Sequence, residues 1–332
     1  MRVLVTGATG FLGMNLVQWI LADRESVRVL TRSAAKAALL AKQGADPVVG
    51  EITDRQTSSA ALQGVEIVYH LAGRLFDPSV PAAEYYRTHV EGTRALLDCC
   101  QEQPGLRRFV HVSTTGVLGI AGERPADENA PCAPTNAYEQ TKWKAELLVR
   151  DALRQGLPAV IVRPGLVYGP GDLHLLRFFR TIQRGLFRPI GSQPVWLHPI
   201  YVDDLIEAFV CCGHHPQAVG ECFHIAGQKP VTIATLSTTI ATAMGTPLPR
   251  GTIPLPLALA VAAVGDLLPA KMKSLAPLTR SRLDFLTHSR VYDVTKAQQV
   301  LGFVAATDLP VGIARTVAWY RQQGYLPWPH HW

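Results

Sequence analysis

The chain begins with the stretch that predicts its fold, Val3-Leu4-Val5-Thr6-Gly7-Ala8-Thr9-Gly10-Phe11-Leu12-Gly13. An apolar strand runs directly into three evenly spaced glycines, and a helical pattern follows. Gly7 permits a tight turn out of the strand, and Gly13 lets the helix pack closely on it. Gly10 lets the backbone approach a diphosphate, which free N–H groups at a helix start bind well. The stretch favours a dinucleotide-binding turn over an ordinary glycine-rich turn, with candidate contacts at Gly7, Thr9, Gly10, Phe11, Leu12 and Gly13.

Strand and helix patterns alternate beyond this turn. Apolar runs predict strands at Val3–Val5, Val27–Leu30, Pro47–Val49, Ile67–His70, Phe109–Val112 and Val160–Val162. Helical stretches lie between them, at about Leu12–Ala22, Ala34–Gln43, Ala82–Cys99 and Ala137–Arg154. Strands separated by helices form parallel sheets that are covered on both faces, with right-handed crossovers. The sequence therefore predicts an α/β fold with a doubly wound parallel sheet.

The pattern changes after about Gly169, where prolines and short apolar runs become frequent. We predict a dinucleotide-binding domain over residues 1–168. Residues 169–332 are expected to form a smaller, mixed and interleaved substrate-binding part. A strand and a helix from about 200–227 are expected to return to the first domain.

Composition excludes several classes of function. The 332 residues are 48% hydrophobic, which is enough for a large core. A strand begins directly after Met1 without a basic and apolar leader, which disfavours a signal peptide. Six cysteines without C-x-x-C spacing predict reduced, cytoplasmic thiols. We expect no metal site, since His330 and His331 are adjacent and lack other ligands, and no nucleic-acid binding, since the net charge of +6 is scattered.

The end of the second strand bears on the choice of nicotinamide cofactor. Sites for NAD usually place a carboxylate there, on the ribose 2′-hydroxyl. Here the strand ends in Thr31-Arg32-Ser33, with no acid to repel a 2′-phosphate. Arg32 therefore favours NADP(H) over NAD(H). The alternatives are that Arg32 stacks on the adenine or is a solvated surface charge.

Two further strand ends offer cofactor contacts. Glu51 and Ile52 follow the third strand and could hold the adenine ring, although an ordinary loop is an equal alternative. The fourth strand ends in His70-Leu71-Ala72-Gly73, whose small residues allow close approach to the cofactor. We interpret His70 as a strand-end histidine rather than a catalyst.

The catalytic candidates are Tyr138 and Lys142, which share one face of a helix at a spacing of four residues. A tyrosine has an ordinary pKa of roughly 10, and a nearby ammonium lowers it. Tyr138 could then exchange a proton with a carbonyl or alcohol oxygen while hydride moves at the nicotinamide, and Lys142 would also bond the nicotinamide ribose. Thr114, with Ser113 as second choice, would hold the substrate oxygen.

In this order the motifs resemble those of the extended short-chain dehydrogenase/reductases, over essentially the whole chain. The resemblance rests on Gly7–Gly13, His70–Gly73, Ser113–Gly119, the Tyr138/Lys142 pair, Arg163–Pro170, Tyr201–Asp204 and Asp293–Phe303. It implies a Rossmann domain with a tightly bound nicotinamide dinucleotide, and a substrate cleft formed with the C-terminal segment. It also implies that the segment after Arg163, including Pro164 and Val167, lies beside the nicotinamide. A homodimer is the habit of the family.

Within this family the chain is most similar to the 3β-hydroxysteroid dehydrogenase and dihydroflavonol reductase branch. Nucleotide-sugar epimerases usually carry Arg-Asp-Phe where this chain has Trp196–Ile200. The resemblance implies reduction or oxidation of an apolar alcohol or ketone. The family commonly has a structural asparagine at the position of His89, which affects local hydrogen bonding more than chemistry.

Alternatives remain for function and for one apolar segment. A nucleotide-sugar epimerase or dehydratase would use the same Tyr138 and Thr114 with a recycled cofactor, and a non-catalytic dinucleotide sensor would not need the intact pair. Residues 255–264 are too short and too proline-rich for a transmembrane helix. We expect a core or substrate-lining helix there, with peripheral membrane contact as the less favoured alternative.

Overall fold

The centre of the molecule is a sheet of seven parallel strands, described by a computed structural model that covers residues 1–268, 276 and 278–328. The strands in these residues are β1 Arg2–Thr6, β2 Ser26–Thr31, β3 Asp46–Val49, β4 Ile67–His70, β5 Arg108–Val112, β6 Gly122–Ala126, β7 Ala159–Pro164, β8 Leu166–Tyr168, β9 Trp196–Leu197, β10 Pro199–Tyr201, β11 Cys222–Ile225, β12 Val231–Thr232 and β13 Arg290–Tyr292. The large sheet has the order β11-β7-β5-β4-β1-β2-β3, and β8 with β10, β9 with β12 and β6 with β13 form small pairs.

Helices cover both faces of this sheet. They are α1 Phe11–Ala22, α2 Ala34–Lys42, α3 Arg55–Leu62, α4 Ala82–Tyr86, α5 Gly92–Gln101, α6 Ala137–Arg154, α7 Leu176–Gln183, α8 Val202–His214, α9 Ile233–Met244, α10 Leu255–Leu267, α11 Arg280–Thr287, α12 Thr295–Leu301 and α13 Leu309–Gln322. A π-helical turn, Arg87–Glu91, joins α4 to α5. One face of the sheet packs on α1 and α8, and the other on α3, α5 and α6. The predicted doubly wound α/β fold is confirmed.

The helix α3 was not predicted. Its sequence, Arg-Gln-Thr-Ser-Ser-Ala-Ala-Leu, has few apolar residues, so its periodicity is weak. The carboxylate of Asp54 accepts hydrogen bonds from the backbone N–H groups of Gln56 and Thr57, at 3.3 and 3.1 Å, and caps the helix start. Asp54, a residue type that favours the N-cap position, was the sequence signal for this helix start.

The strand order reverses between β1 and β4, which pair with each other. The chain segments that leave these two strands turn to opposite faces of the sheet. This leaves a crevice at the carboxyl ends of the strands, which is where doubly wound folds bind ligands. After residue 169 the chain returns to the sheet, since α8 packs against α1 and β11 forms the edge beside β7. The site is therefore assembled from segments that are far apart in sequence.

The apolar helix α10 was predicted to be a core or substrate-lining helix, and the structure contradicts the core interpretation. Its small residues Ala258, Ala262 and Gly265 are buried, whereas its leucines and valines are exposed. None of the helices in the described ranges combines the length and apolarity needed to span a bilayer. His330 and His331 lie outside the described residues. Within those residues, no three His, Cys, Asp or Glu side chains form a cluster suited to a metal.

Candidate active site

The glycine-rich turn has one open position between two crowded ones. Gly7 has φ of +73°, and a Cβ there would lie 2.7 Å from the backbone carbon of Leu71. A Cβ on Gly13 would lie 2.2 Å from the Gly7 carbonyl oxygen. Gly10 is exposed, and a Cβ there would meet only that oxygen, at 3.4 Å. The fold itself therefore requires glycine at positions 7 and 13, while Gly10 leaves room on the open side for a ligand.

The start of α1 fits a diphosphate. Gly10 is the cap residue, and no side chain caps the first turn. The N–H groups at such an end, beside Thr9, Phe11 and Leu12, are free to bind an anion, which the helix dipole favours. The backbone N–H of Ala72 donates to Thr6 Oγ1 at 3.2 Å, which holds the segment from Leu71 to Gly73 beside this turn.

The residues predicted to hold the adenosine half lie at the ends of β2 and β3. The Gly50 N–H donates to the Thr31 carbonyl at 3.0 Å, so these two ends are joined. Arg32 is exposed beside this junction. Glu51 forms an exposed ion pair with Arg87 at 3.3 Å, and Ile52 packs against the buried face of α5. The structure thus brings Arg32 and Glu51 to one rim, with Ile52 beneath.

Tyr138 lies at the start of α6, which Asn136 caps by accepting from the Glu139 N–H at 3.0 Å. Burial of the phenol raises the pKa of Tyr138 to about 12, although a hydrogen bond with the Thr114 side chain opposes the shift. We expected the Lys142 ammonium to lower this pKa. The pKa of Tyr138 is raised instead, because desolvation of the phenol outweighs the lowering by the Thr114 hydrogen bond. Tyr138 is therefore a neutral phenol at pH 7.

Lys142 lies one turn further along α6 and is buried. Its ammonium donates to the Val112 carbonyl oxygen at 2.6 Å, where β5 ends. Burial lowers the pKa of Lys142 to about 8, and the Glu146 carboxylate opposes the shift. Lys142 is therefore mostly protonated at pH 7 and fixes α6 to the carboxyl end of the sheet.

The two hydroxyl candidates after β5 have different surroundings. Thr114 is half-buried, faces Tyr138 and accepts from the Gly116 N–H at 3.1 Å. Ser113 is buried and donates to Glu146 Oε2 at 2.9 Å. Thr114 is thus beside the phenol, while Ser113 belongs to an internal polar network.

That network is centred on Glu146, a buried carboxylate one turn beyond Lys142 on α6. Arg163 on β7 donates to it from Nη2 at 2.6 Å and from Nε at 3.0 Å. Arg150 adds a bond from Nη2 at 2.9 Å. Burial alone would raise the pKa of Glu146, but hydrogen bonds and charge from Arg163 and Arg150 hold it below its usual value.

The network fixes α6 against β7 and so holds Pro164 next to Thr115, whose hydroxyl donates to the Pro164 carbonyl at 2.9 Å. Val167 follows on β8.

His89, which stands where the family commonly has asparagine, makes specific contacts in the structure. It lies in the π-helical turn and is buried. The Arg74 N–H donates to His89 Nε2 at 3.0 Å, so Nδ1 carries the proton and donates to Thr141 Oγ1 at 2.9 Å. Burial lowers the pKa of His89 to about 3, so the ring is neutral. The ring therefore links the loop after β4 to the turn of α6 that carries Tyr138.

Tyr85 completes the surroundings of Tyr138. The Tyr85 and Tyr138 ring centroids are 6.1 Å apart, nearly perpendicular. The Tyr85 hydroxyl accepts from the Asp77 N–H at 2.7 Å and so holds the loop after β4. No sequence motif singled out Tyr85 or Glu146. A carboxylate on the apolar face of α6 was the only available signal for Glu146.

His70 lies at the end of β4, where the sequence placed it, and its contacts are internal. Its buried ring bridges Thr6 Oγ1 and Thr93 Oγ1, at 2.8 Å each, and burial lowers its pKa to about 3. It therefore joins β1, β4 and α5 below the cofactor turn.

Comparison with known proteins agrees with this geometry. Residues 3–226 match the model of the NAD dependent epimerase/dehydratase family. The chain belongs to this family. It is 30% identical to a 4-hydroxy-2-methyl-3-oxo-4-farnesyl-3,4-dihydroquinoline-1-oxide ketoreductase of Stigmatella aurantiaca, over 98% of this chain and 99% of the relative. It is also 30% identical to the sterol demethylase protein B of Methylococcus capsulatus, over 98% and 100%.

Solved structures confirm the fold. The crystal structure of gox2253 superposes with a TM-score of 0.80 at 26% identity, covering 98% of this chain and 99% of that one. The family is one of NAD-dependent oxidoreductases and epimerases, so the chain is an enzyme with a nicotinamide dinucleotide cofactor. The predicted family resemblance to extended short-chain dehydrogenase/reductases is confirmed.

Proposed function

We propose that this enzyme interconverts a ketone and a secondary alcohol on an apolar substrate, with Tyr138 as the acid and base. A bound nicotinamide dinucleotide would supply hydride to the carbonyl carbon. Tyr138 gives its phenolic proton to the carbonyl oxygen, and Thr114 donates a hydrogen bond to that oxygen. In the reverse direction Tyr138 takes the proton from the alcohol.

The observation that carries the proposal is the pairing of the Tyr138 and Thr114 hydroxyls at the carboxyl end of β5. A phenol with a pKa of about 12 is protonated at pH 7, which suits a proton donor to a developing alkoxide. Lys142 holds the helix in place from the next turn and offers its ammonium to the ribose. The helix α6 packs on the sheet, and in that sheet β4 pairs with both β5 and β1. The proposed proton donor and the glycine-rich turn are therefore held at a fixed distance from each other.

Neutral surroundings support an apolar substrate. The rings of Tyr85 and His89 flank Tyr138, and burial keeps both uncharged at pH 7. At the position where nucleotide-sugar epimerases carry their arginine and acid, His198 instead lies 2.7 Å from the Gly227 carbonyl through Nε2. The Stigmatella relative is named for a farnesyl-bearing ketone, which is consistent with this substrate class.

NADP(H) is the proposed cofactor because Arg32 is exposed at the rim formed by β2 and β3. The remaining cofactor contacts would come from the glycine-rich turn, Glu51, Ile52, the segment from Leu71 to Gly73, and Pro164 with Val167. We propose that residues 1–168, with the returning segment 200–227, form the dinucleotide-binding part, and that 169–332 mainly bind substrate.

A panel of cyclic and isoprenoid ketones with NADPH, followed by loss of reduced cofactor, tests the proposal. Tyr138→Phe should lower kcat by roughly 10²- to 10⁴-fold, about 3–5 kcal/mol of barrier, for the best substrate. Tyr86→Phe is the matched control. Tyr86 is the exposed last residue of α4, and the variant should retain activity. Near-normal turnover by Tyr138→Phe would remove that residue from the mechanism. Conversion of a nucleotide sugar without net cofactor use would instead identify an epimerase.

A further inference from the structure

The helix α10 packs inward through small residues and presents its large apolar side chains outward. Ala258 and Ala262 are buried against α11, and a Cβ on Gly265 would lie 2.1 Å from the Leu278 carbonyl oxygen. On the outer faces Leu257 is 56% exposed, Val264 65% and Leu267 84%. Close packing at Gly265 fixes this orientation, so the outer leucines cannot turn into the core.

An apolar helix of this length has few stable environments. A stretch of 10–14 apolar residues is typically a core helix or an interfacial segment, and is too short to cross a bilayer. The exposed leucines and valines of α10 exclude a core helix. Apolar surface left in water costs about 25 cal/mol per Å². Leu186 is also 67% exposed, and it lies four residues before Ile190, which forms a β-bridge with Ile253 just ahead of α10.

Positive charge surrounds the patch. Arg188 and Arg250 are exposed near the first turn of α10, and Arg280 lies at its last turn. The described residues between 250 and 290 carry four arginines, at positions 250, 280, 282 and 290, and two carboxylates, Asp266 and Asp284. Both carboxylates pair with arginines, at 3.6 Å to Arg280 and at 2.6 Å to Arg290. An apolar surface with a basic rim complements the anionic face of a lipid bilayer.

The patch lies near the loop that borders the active site. The next helix, α11, packs against α10 and carries Arg282, whose charge acts on Asp77. Asp77 is held by Tyr85, which contacts the ring of Tyr138. A bilayer on α10 would therefore lie near this loop.

We propose that α10, with its basic rim, docks the enzyme on the surface of an anionic lipid bilayer. The helix lies in the plane of the interface with Leu257, Val264 and Leu267 among the acyl chains. Arg188, Arg250 and Arg280 contact lipid phosphates. This docking does not depend on the proposed ketone chemistry, and its test does not use activity.

Flotation of the full chain with vesicles of equal parts phosphatidylcholine and phosphatidylglycerol is the test. The wild type should float with these vesicles and much less with pure phosphatidylcholine. The triple variant Leu257→Ser, Val264→Ser, Leu267→Ser should bind more than about tenfold more weakly. Arg188→Ala and Arg250→Ala should each weaken binding roughly fivefold.

The matched control is the triple variant Leu39→Ser, Leu173→Ser, Val304→Ser, which removes exposed apolar side chains elsewhere and should float like the wild type. Circular dichroism and urea unfolding check that both triple variants are folded. Failure of the wild type to float, or equal flotation of the two triple variants, overturns the proposal. A dimer in solution that only the α10 triple variant dissociates would show that a second copy covers the patch, and would also overturn it.

Discussion

The rings of His89 and Tyr138 meet edge to face, with centroids 5.5 Å apart and planes at 78°. His89 also donates to Thr141, which lies on α6 between Tyr138 and Lys142. A histidine in a π-helical turn thus holds the turn of α6 that carries Tyr138 through both a ring contact and a hydrogen bond. Such turns within α-helices are frequent at functional sites.

We predict that His89 is a positioning residue. His89→Ala leaves the Arg74 N–H without its present acceptor and opens a void beside Tyr138, so kcat should fall by about ten- to a hundredfold. His89→Asn supplies a shorter donor and acceptor and should restore a large share of kcat. Steady-state kinetics with cofactor and ketone varied separately measures kcat apart from KM. Equal kcat values for the alanine and asparagine variants would argue against positioning.

The buried histidines predict loss of stability in acid. The pKa of His89 is about 3 in the folded state and roughly 6.5 when unfolded. Between these values the unfolded chain binds the additional proton, so stability falls as pH falls from about 6.5. At pH 5 the cost is roughly 2 kcal/mol for this group. His70, whose pKa is also about 3, adds a similar contribution.

Urea unfolding from pH 7 down to pH 5 measures this loss. His89→Asn lacks the titrating ring, so its free energy of unfolding should decline less steeply than that of the wild type. Identical slopes for the two proteins would show that His89 does not titrate on unfolding.

Ser113 and Thr114 are neighbours with opposite expected phenotypes. Thr114→Val removes the hydroxyl beside Tyr138 and should lower kcat by about ten- to a hundredfold, with a stability cost of only about 1 kcal/mol from the lost bond to the Gly116 N–H. Ser113→Ala removes a donor to the buried Glu146 carboxylate and should cost about 1–3 kcal/mol of stability. Kinetics and urea unfolding of both variants make the comparison. A reversed pattern would make Ser113 the substrate-binding hydroxyl.

Removing the Glu146 charge should destabilise the fold. Glu146→Gln leaves the buried Arg163 guanidinium without its counter-charge, which typically costs 3–5 kcal/mol. Asp151→Asn is the control on the same helix, because its pair with Arg154 is exposed and should contribute less than about 1 kcal/mol. Urea unfolding at pH 7 distinguishes the two, and similar small losses would contradict the assigned role of Glu146.

Arg32 should determine cofactor choice. Arg32→Ala should lower kcat/KM for NADPH by about ten- to a hundredfold while that for NADH changes little, because only NADPH offers a 2′-phosphate. Lys42→Ala, at the far end of α2, the helix that follows Arg32, is the control and should change neither value. A wild-type preference for NADH would refute the predicted cofactor.

Local patterns of apolar residues predicted many of the strands and helices. Periodicity placed β4 at Ile67–His70 and α6 at Ala137–Arg154 with the bounds that the structure has. The polar helix α3 was missed because its stability comes from a cap at Asp54 and from packing, not from an apolar stripe. The strand β11 joins the sheet through pairing with β7, about sixty residues earlier, which no local pattern encodes.

The sequence by itself determined the order of the chemistry: a glycine-rich turn, a hydroxyl pair and a tyrosine four residues before a lysine. Tertiary structure decided what surrounds each residue. It separated Thr114 from Ser113 through Glu146, raised the pKa of Tyr138 instead of lowering it, and turned the leucines of α10 outward. The physical reason for this division is that the spacing of residues along one helix or strand determines only which side chains share a face. Burial and hydrogen-bond partners come from residues that are distant in the chain.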